Sequence, residues 1–326
     1  MSNTMKGKIL AYGEIMMRLS APDGKTVRES SCFSANYGGT EANVLACLHA
    51  FGHETKYLTA LPEGPLGEAV LDHLHRFGID TSDIVVQGDT LGLYFSENGN
   101  ESRGTNVIYY RRHSEFTRLS EASFDYDKVF CGVSIFHISG ISLALSDSSR
   151  ALAFRLIREA KARGIAVSFD FNYRASLWSV EDARPCLAEA AAEADILLAG
   201  SRDLASFLHM TADEVMARFP CQYLVVRDRK VIAPDRHAVQ VSVFGRKEGE
   251  ERVSSPEIDF PVLERIGGGD AFDGALLHAL TEGEPLGEAV MFAVAAFALK
   301  HTVKGDTFTL CREDVLRYRH RLEGTI

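Results

Sequence analysis

The chain has 326 residues and a formal net charge of −10, with 46% hydrophobic and 25% charged residues. That length can bury one large core or two smaller ones, and the composition is that of an ordinary globular protein. The negative charge argues against nucleic acid as a partner, and no apolar run is long enough to span a membrane.

Residues 1–10 pass from polar residues into a strand-like run without the apolar centre of a secretory signal. The six cysteines are scattered with no Cys-x-x-Cys pair, which reads as reduced, buried thiols in a cytoplasmic protein. Short apolar runs then alternate with helical periodicity, the pattern of βαβ units. A first strand is expected at 8–12. After an irregular stretch from Glu14 to about Tyr37 come a helix at 41–51, a strand at 55–59 and a helix at 66–77. A second irregular stretch, 91–112, alternates Leu91, Leu93 and Phe95 before Val107-Ile108-Tyr109-Tyr110. Strands at 133–138, 165–170, 195–198 and 222–226 alternate with helices at 147–162 and 181–193. Two more helices follow, at 270–280 and from Pro285 to about His301. The second is apolar nearly all round and therefore buried.

The two irregular stretches read as antiparallel β segments. A small sheet over the carboxyl end of a parallel sheet would cover the place where ligands bind in such folds. No repeat or low-complexity linker interrupts the chain. It reads as one α/β domain, 1–326, with a lid from about 14–37 and 91–112.

The most informative segment is 265–274. Gly267, Gly268, Gly269 and Asp270 run straight into the 270–280 helix, whose residues Ala271, Phe272, Ala275, Leu276, Ala279 and Leu280 share one face. The glycines therefore stand where helix amides are unpaired and the positive end of the helix dipole emerges, a cradle for an anion. A carboxylate beside that cradle can accept the proton of a hydroxyl held there, and cradle plus base is what phosphoryl transfer to an alcohol needs. The same residues also fit a Gly-rich turn with Asp270 as helix cap. No Gly-Lys-Ser/Thr follows, and the dinucleotide spacing fails at Phe272.

Gly38-Gly39-Thr40-Glu41-Ala42-Asn43 leading into a helix, with the late Gly-Gly-Gly-Asp-Ala-Phe, resembles the ribokinase-like (PfkB) carbohydrate kinases. The resemblance runs from Gly13 and Glu14 to Asp306. It is greatest to the 2-keto-3-deoxygluconate kinases, through Tyr109-Tyr110-Arg111, Ser139-Gly140-Ile141, the run from Phe169 to Arg174, and Gly305-Asp306. It implies a central, mostly parallel sheet flanked by helices with a small β-sheet lid, a homo-oligomer, ATP and Mg2+ as cofactors, and a monovalent cation as an open question. The implied reaction phosphorylates the 6-hydroxyl of 2-keto-3-deoxygluconate. The implied roles are Asp270 as general base and Gly267, Gly268 and Gly269 as anion hole, with Gly267 and Gly269 also at the nucleotide. Arg111 and Arg174 would hold the substrate carboxylate, which a guanidinium matches with paired donors. Gly38, Gly39, Asn43, Tyr94, Tyr109, Ile141 and Asp306 would line the sugar site, with the glycines letting the chain pass close to substrate hydroxyls. Ser201 and Arg227 would meet the nucleotide and Asp203 the metal.

Blander readings stand beside several of these. Tyr94 and Tyr109 also fit a lid core, Asn43 and Glu41 a brace for their helix, and Asp306 a capping turn after Gly305. Arg112 reads as a surface residue, and His137, His278 and His301 read as core or interface residues without metal-ligand partners. The chain departs from the family pattern at Glu264, Gly268 and Lys304. In Gly200-Ser201-Arg202-Asp203 only the acid of the usual Asn-x-x-Glu remains. Arg227-Asp228-Arg229-Lys230 replaces a glycine-containing turn and reads as a solvated charged turn, with Arg227 or Lys230 as phosphate contacts. A kinase of a neutral sugar, of fructokinase or ribokinase type, and a non-catalytic sugar-acid-binding regulator are the alternatives.

Overall fold

Six parallel strands form the centre of the computed structural model, which describes residues 6–97, 99, 104, 106–246 and 252–324. Their order is Thr55–Leu58, Lys8–Tyr12, Val133–Ser139, Ala166–Asp170, Ile196–Ala199 and Tyr223–Ala233. Arg236–Gly245 adds antiparallel and in turn pairs with Arg252–Ser254 and Ile258–Pro261, completing nine strands. Strands covered on both faces have no polar side to show, so runs such as Ile196-Leu197-Leu198-Ala199 are wholly buried.

Helices cover both faces. Thr40–Ala50, Gly268–Glu282 and Leu286–Lys300 pack with Ile9, Ala11 and Ile135 on one side. Asp147–Ala162 and Val180–Glu193 pack with Leu10, Phe136 and Val167 on the other. Ser146 opens Asp147–Ala162 with a capping box to Ser149. The all-apolar helix is buried, as expected, at Leu286–Lys300.

A separate sheet has the order Ser34–Gly38, Met16–Ser20, Leu93–Glu97, Asn106–Tyr110. Both irregular stretches contribute two strands to it. Its central pair, Met16–Ser20 with Leu93–Glu97, is parallel rather than antiparallel, because the two stretches meet side by side instead of each folding on itself alone. Residues 98, 100–103 and 105 of the second stretch, and 1–5 at the start of the chain, lie outside the described residues.

The charged run 227–230 is not a turn. It continues the strand Tyr223–Ala233, paired register by register with Val241, Gln240, Val239 and Ala238. The apolar partner strand supplies the pairing, so the run itself needs no apolar face and carries no hydropathy signal. The expected helix at 270–280 begins earlier, at Gly268 with Gly267 as its cap. The strands after Ala233 and the helix Arg312–Leu322 are not anticipated by periodicity. All six cysteines are free, but only Cys47 and Cys221 are buried; Cys32, Cys131 and Cys311 are exposed. Among the described residues no helix is long and apolar enough to cross a membrane.

Candidate active site

A cavity of about 490 Å³ opens at the carboxyl ends of the parallel strands, between them and the small sheet. This is where an open α/β sheet binds ligands, since the strands end there and loops diverge. Its lining brings together Gly38, Gly39, Asn43, Tyr94, Tyr109, Arg111, Ile141, Arg174, Asp203, Arg227, Gly267, Gly269, Asp270 and Asp306. Gly268 and Ser201 stand outside the lining. The Ser201 backbone amide and hydroxyl both donate to Asp228, at 3.2 and 2.5 Å.

Asp270 lies in the first turn of Gly268–Glu282, whose earliest amides have no partner within the helix. One carboxylate oxygen accepts from Asn43 Nδ2 at 2.7 Å and the other from Thr40 Oγ1 at 3.2 Å. Asn43 therefore braces the carboxylate rather than only its own helix. Burial, reinforced by the charge of Asp170, pushes the Asp270 pKa up to about 6, against the hydrogen bond from Asn43 and the charge of Arg174. At neutral pH the group is ionised and more basic than a solvent-exposed aspartate.

Behind it, Glu41 accepts from the Ser139 amide and hydroxyl at 3.1 and 2.7 Å and from Ser142 Oγ at 3.0 Å. Burial raises its pKa to about 7.

The glycines have identifiable reasons. Gly267 sits at φ +79°, and a Cβ there would lie 2.0 Å from the Asp306 carbonyl oxygen. A Cβ on Gly268 would strike the His301 ring, whereas one on Gly269 would only touch Arg227. Gly38 and Gly39 are tight against protein, not against an open ligand space. A Cβ on either would collide with the Asp306 side chain or the Glu14 carbonyl. Gly267→Ala is accordingly expected to cost about 1–3 kcal/mol from the left-handed backbone alone, with further loss from the clash. Thermal unfolding and turnover should fall together, and an unchanged melting temperature would contradict this packing.

The arginines divide into committed and free. Arg111 is buried and donates through Nε to Glu14 at 2.7 Å, with a second contact through Nη2, so its guanidinium is largely spent inside the protein. Arg174 is exposed, and among the described residues its only hydrogen bond or ion pair runs from Nη1 to the Tyr173 carbonyl at 3.1 Å. Arg227 bonds Asp273 at 2.8 Å, approaches Asp170 at 3.7 Å and lies over the Phe272 ring, so it fastens the helix Gly268–Glu282 to the sheet. Lys230 points away to Glu257 at 2.6 Å. Once the run is a strand, period two puts Arg227 and Arg229 on one face and Lys230 on the other. Arg229 lines the cavity and makes no hydrogen bond or ion pair among the described residues, and Arg265 lines it too. Neither was singled out from sequence. Arg112 is exposed and outside the lining.

On the small-sheet side of the cavity, Tyr94 donates to Asp306 Oδ2 at 2.6 Å and its ring lies 5.6 Å from Tyr109, which is 39% exposed. Asp306 is ion-paired with Arg18 at 3.0 Å, and burial holds its pKa above the usual carboxylate range. Arg18 also reaches Glu264 at 3.3 Å. This fully buried arginine ties the lid strand Met16–Ser20 to both loops. Its sequence signal was a lone cation between the apolar Met17 and Leu19.

Asp203 caps the amide of Gly200 at 2.8 Å and joins no group of three His, Cys, Asp or Glu side chains close enough to share an ion among the described residues. Such a group does exist elsewhere, at His53, His278 and Glu282, contrary to the reading of His278 as lacking ligand-type partners. Arg312 Nε donates to His278 Nε2 at 3.2 Å, which leaves the proton on Nδ1, facing His53 at 2.8 Å, and no lone pair for a metal. His137 and His301 are core residues, bonded to Ser168 and the Phe297 carbonyl.

The family described as pfkB family carbohydrate kinase matches residues 6–311. The 2-dehydro-3-deoxygalactonokinase of Haloferax volcanii is 31% identical over 319 residues, covering 96% of each chain. The 5-dehydro-2-deoxygluconokinase of Clostridium perfringens is 27% identical over 90% of this chain and 87% of its own. The crystal structure of the 2-dehydro-3-deoxygluconokinase of Thermotoga maritima superposes with a TM-score of 0.91 at 32% identity, covering 96% of this chain and 99% of that one.

Proposed function

The chain belongs to the PfkB family of carbohydrate kinases, and on that premise we propose that it is an ATP-dependent kinase of 2-keto-3-deoxygluconate or its galactonate epimer, acting on the 6-hydroxyl. One observation carries the reading: the same cavity holds Asp270 beside the anion loop and, in Arg174, a guanidinium with no ion-pair partner among the described residues. A neutral sugar has no carboxylate for that cation to meet. The names of the three relatives above, each a kinase of a keto-deoxy sugar acid, support the same substrate class.

In this reading the acceptor hydroxyl lies against Asp270, which takes its proton as the phosphoryl group arrives. Thr40 and Asn43 keep the carboxylate aimed. The free amides at the start of Gly268–Glu282 receive the developing negative charge. Arg174 holds the substrate carboxylate at the far end, and Tyr94, fixed on Asp306, lines the same cavity. Arg229 and Arg265 meet the polyphosphate, in place of the glycine turn this chain lacks. Asp170 and Asp203 fit Mg2+. Both line the cavity, burial and then the charge of Asp170 raise the pKa of Asp203, and a magnesium ion shared with a nucleotide needs only one or two carboxylates. When bound, the ion neutralises phosphate charge.

The test is ADP release from Mg-ATP with 2-keto-3-deoxygluconate, its galactonate epimer, gluconate, fructose and ribose. Turnover confined to the keto-deoxy acids is expected. Turnover on fructose or ribose instead would leave Asp270 its role and overturn the substrate. Tight binding of an acid without ADP formation would favour a regulator.

A further inference from the structure

Lys300 is the last residue of the buried helix Leu286–Lys300, and it has no solvent exposure at all. Lysine is almost never fully buried unless its charge is matched. Here Nζ donates to the backbone carbonyls of Gly305 at 2.7 Å and Val303 at 3.3 Å. The side chain passes directly beneath the anion loop. A Cβ on Gly267 would lie 3.0 Å from Lys300 Cε and 2.0 Å from the Asp306 carbonyl. The ammonium thus joins two parts of the cavity wall, the turn that presents Asp306 and the glycines that open Gly268–Glu282.

The charges that face it come from every neighbouring segment. Glu264, Asp306 and Asp270 are negative and Arg18 is positive. Carbonyl oxygens with carboxylates behind them form a hard-oxygen cage, the ligand type that alkali and ammonium ions accept. A helix end capped by its own lysine explains one carbonyl contact at the surface. It does not explain a fully buried ammonium placed between the two loops that the proposed chemistry uses.

We propose that Lys300 is a positioning residue, a built-in monovalent cation that pins the turn 303–306 under the anion loop so that the protein needs no bound alkali ion there. The inference rests on the kinase reading for its kinetic consequence but not for its structural one.

Two experiments test it. First, wild-type ADP release and melting temperature are measured in potassium, sodium and choline salts at equal ionic strength. Values agreeing within about twofold and about 1 °C are expected, and a potassium requirement would overturn the proposal. Second, Lys300→Met keeps length and removes charge. It should lower kcat at least about 30-fold with a smaller change in the sugar KM, because the anion loop moves while the Arg174 end does not. Ammonium or potassium, but not choline, should recover part of the kcat and raise the melting temperature of the variant. Loss without recovery by either ion would reduce Lys300 to a packing residue and sink the idea. If Lys300→Met does not fold, the wild-type salt comparison still decides. If the wild type turns over none of the sugars, the kinase reading fails, while the melting temperature of Lys300→Met with and without potassium still tests the cation.

Discussion

Asp270→Asn is expected to fold normally and to lose about 10²–10⁴-fold in kcat, the usual contribution of a positioned general base. The folding half follows from the two donors at the carboxylate. An amide oxygen can still accept from Asn43, and an amide NH2 can donate to the Thr40 hydroxyl, which accepts as readily as it donates. Removal of the charge also relieves repulsion from Asp170, one of the causes of the raised pKa. The sugar KM should change little, because the carboxylate's main work is in the transition state. Wild-type protein should show the matching pH profile. The active form is the carboxylate, and its pKa is pushed up to about 6. kcat/KM should therefore be flat above about pH 7 and fall tenfold per unit below pH 6, a limb that Asp270→Asn lacks. Wild-type turnover in the variant would remove Asp270 from the mechanism.

The layout of the fold was legible because its signals are local and repeated. Apolar runs of strand length alternating with amphipathic helices leave few options beyond a parallel sheet with helices on both faces. The glycine-led helix start at 267–270 was legible for a related reason: three glycines before a helix expose amides whatever the rest of the chain does. What escaped was set by partners distant in sequence. The run 227–230 looked like a solvated turn because its own residues are charged, and its strand character comes from Ala238, Val239 and Val241 across the hairpin. Once that pairing is known, Arg229 falls on the cavity face. Likewise Arg111 and Arg174 look equivalent as sequence. Only the fold brings Glu14, distant by 97 positions, against Arg111 and leaves Arg174 without such a partner among the described residues. Gly38 and Gly39 show the same limit. Their presence was readable, but the atoms they make room for, Asp306 and the Glu14 carbonyl, were not.

That difference between the arginines gives the second large effect. Arg174→Ala should raise KM for the sugar acid roughly a hundredfold, since losing a charge-assisted carboxylate contact costs a few kcal/mol. kcat at saturation should hold, because the carboxylate is bound equally in ground and transition states. The melting temperature should also hold, since the side chain is exposed and makes a single bond to its neighbour's carbonyl. Arg111→Ala should behave oppositely. It strands the buried Glu14 carboxylate, which among the described residues keeps only Ser114 as a side-chain donor, and breaking such a pair typically costs about 3–5 kcal/mol. Its melting temperature should drop sharply, and any rise in KM should be accompanied by that loss of stability. Measuring both variants by thermal unfolding and by steady-state kinetics on a keto-deoxy acid separates binding from scaffolding. An Arg174→Ala protein with an unchanged KM would move the carboxylate away from this wall of the cavity. The remaining cations there, Arg229 and Arg265, would then have to be shared between nucleotide and sugar acid. An Arg111→Ala protein as stable as wild type, with a large KM effect, would show instead that Glu14 releases the guanidinium to the substrate when it binds.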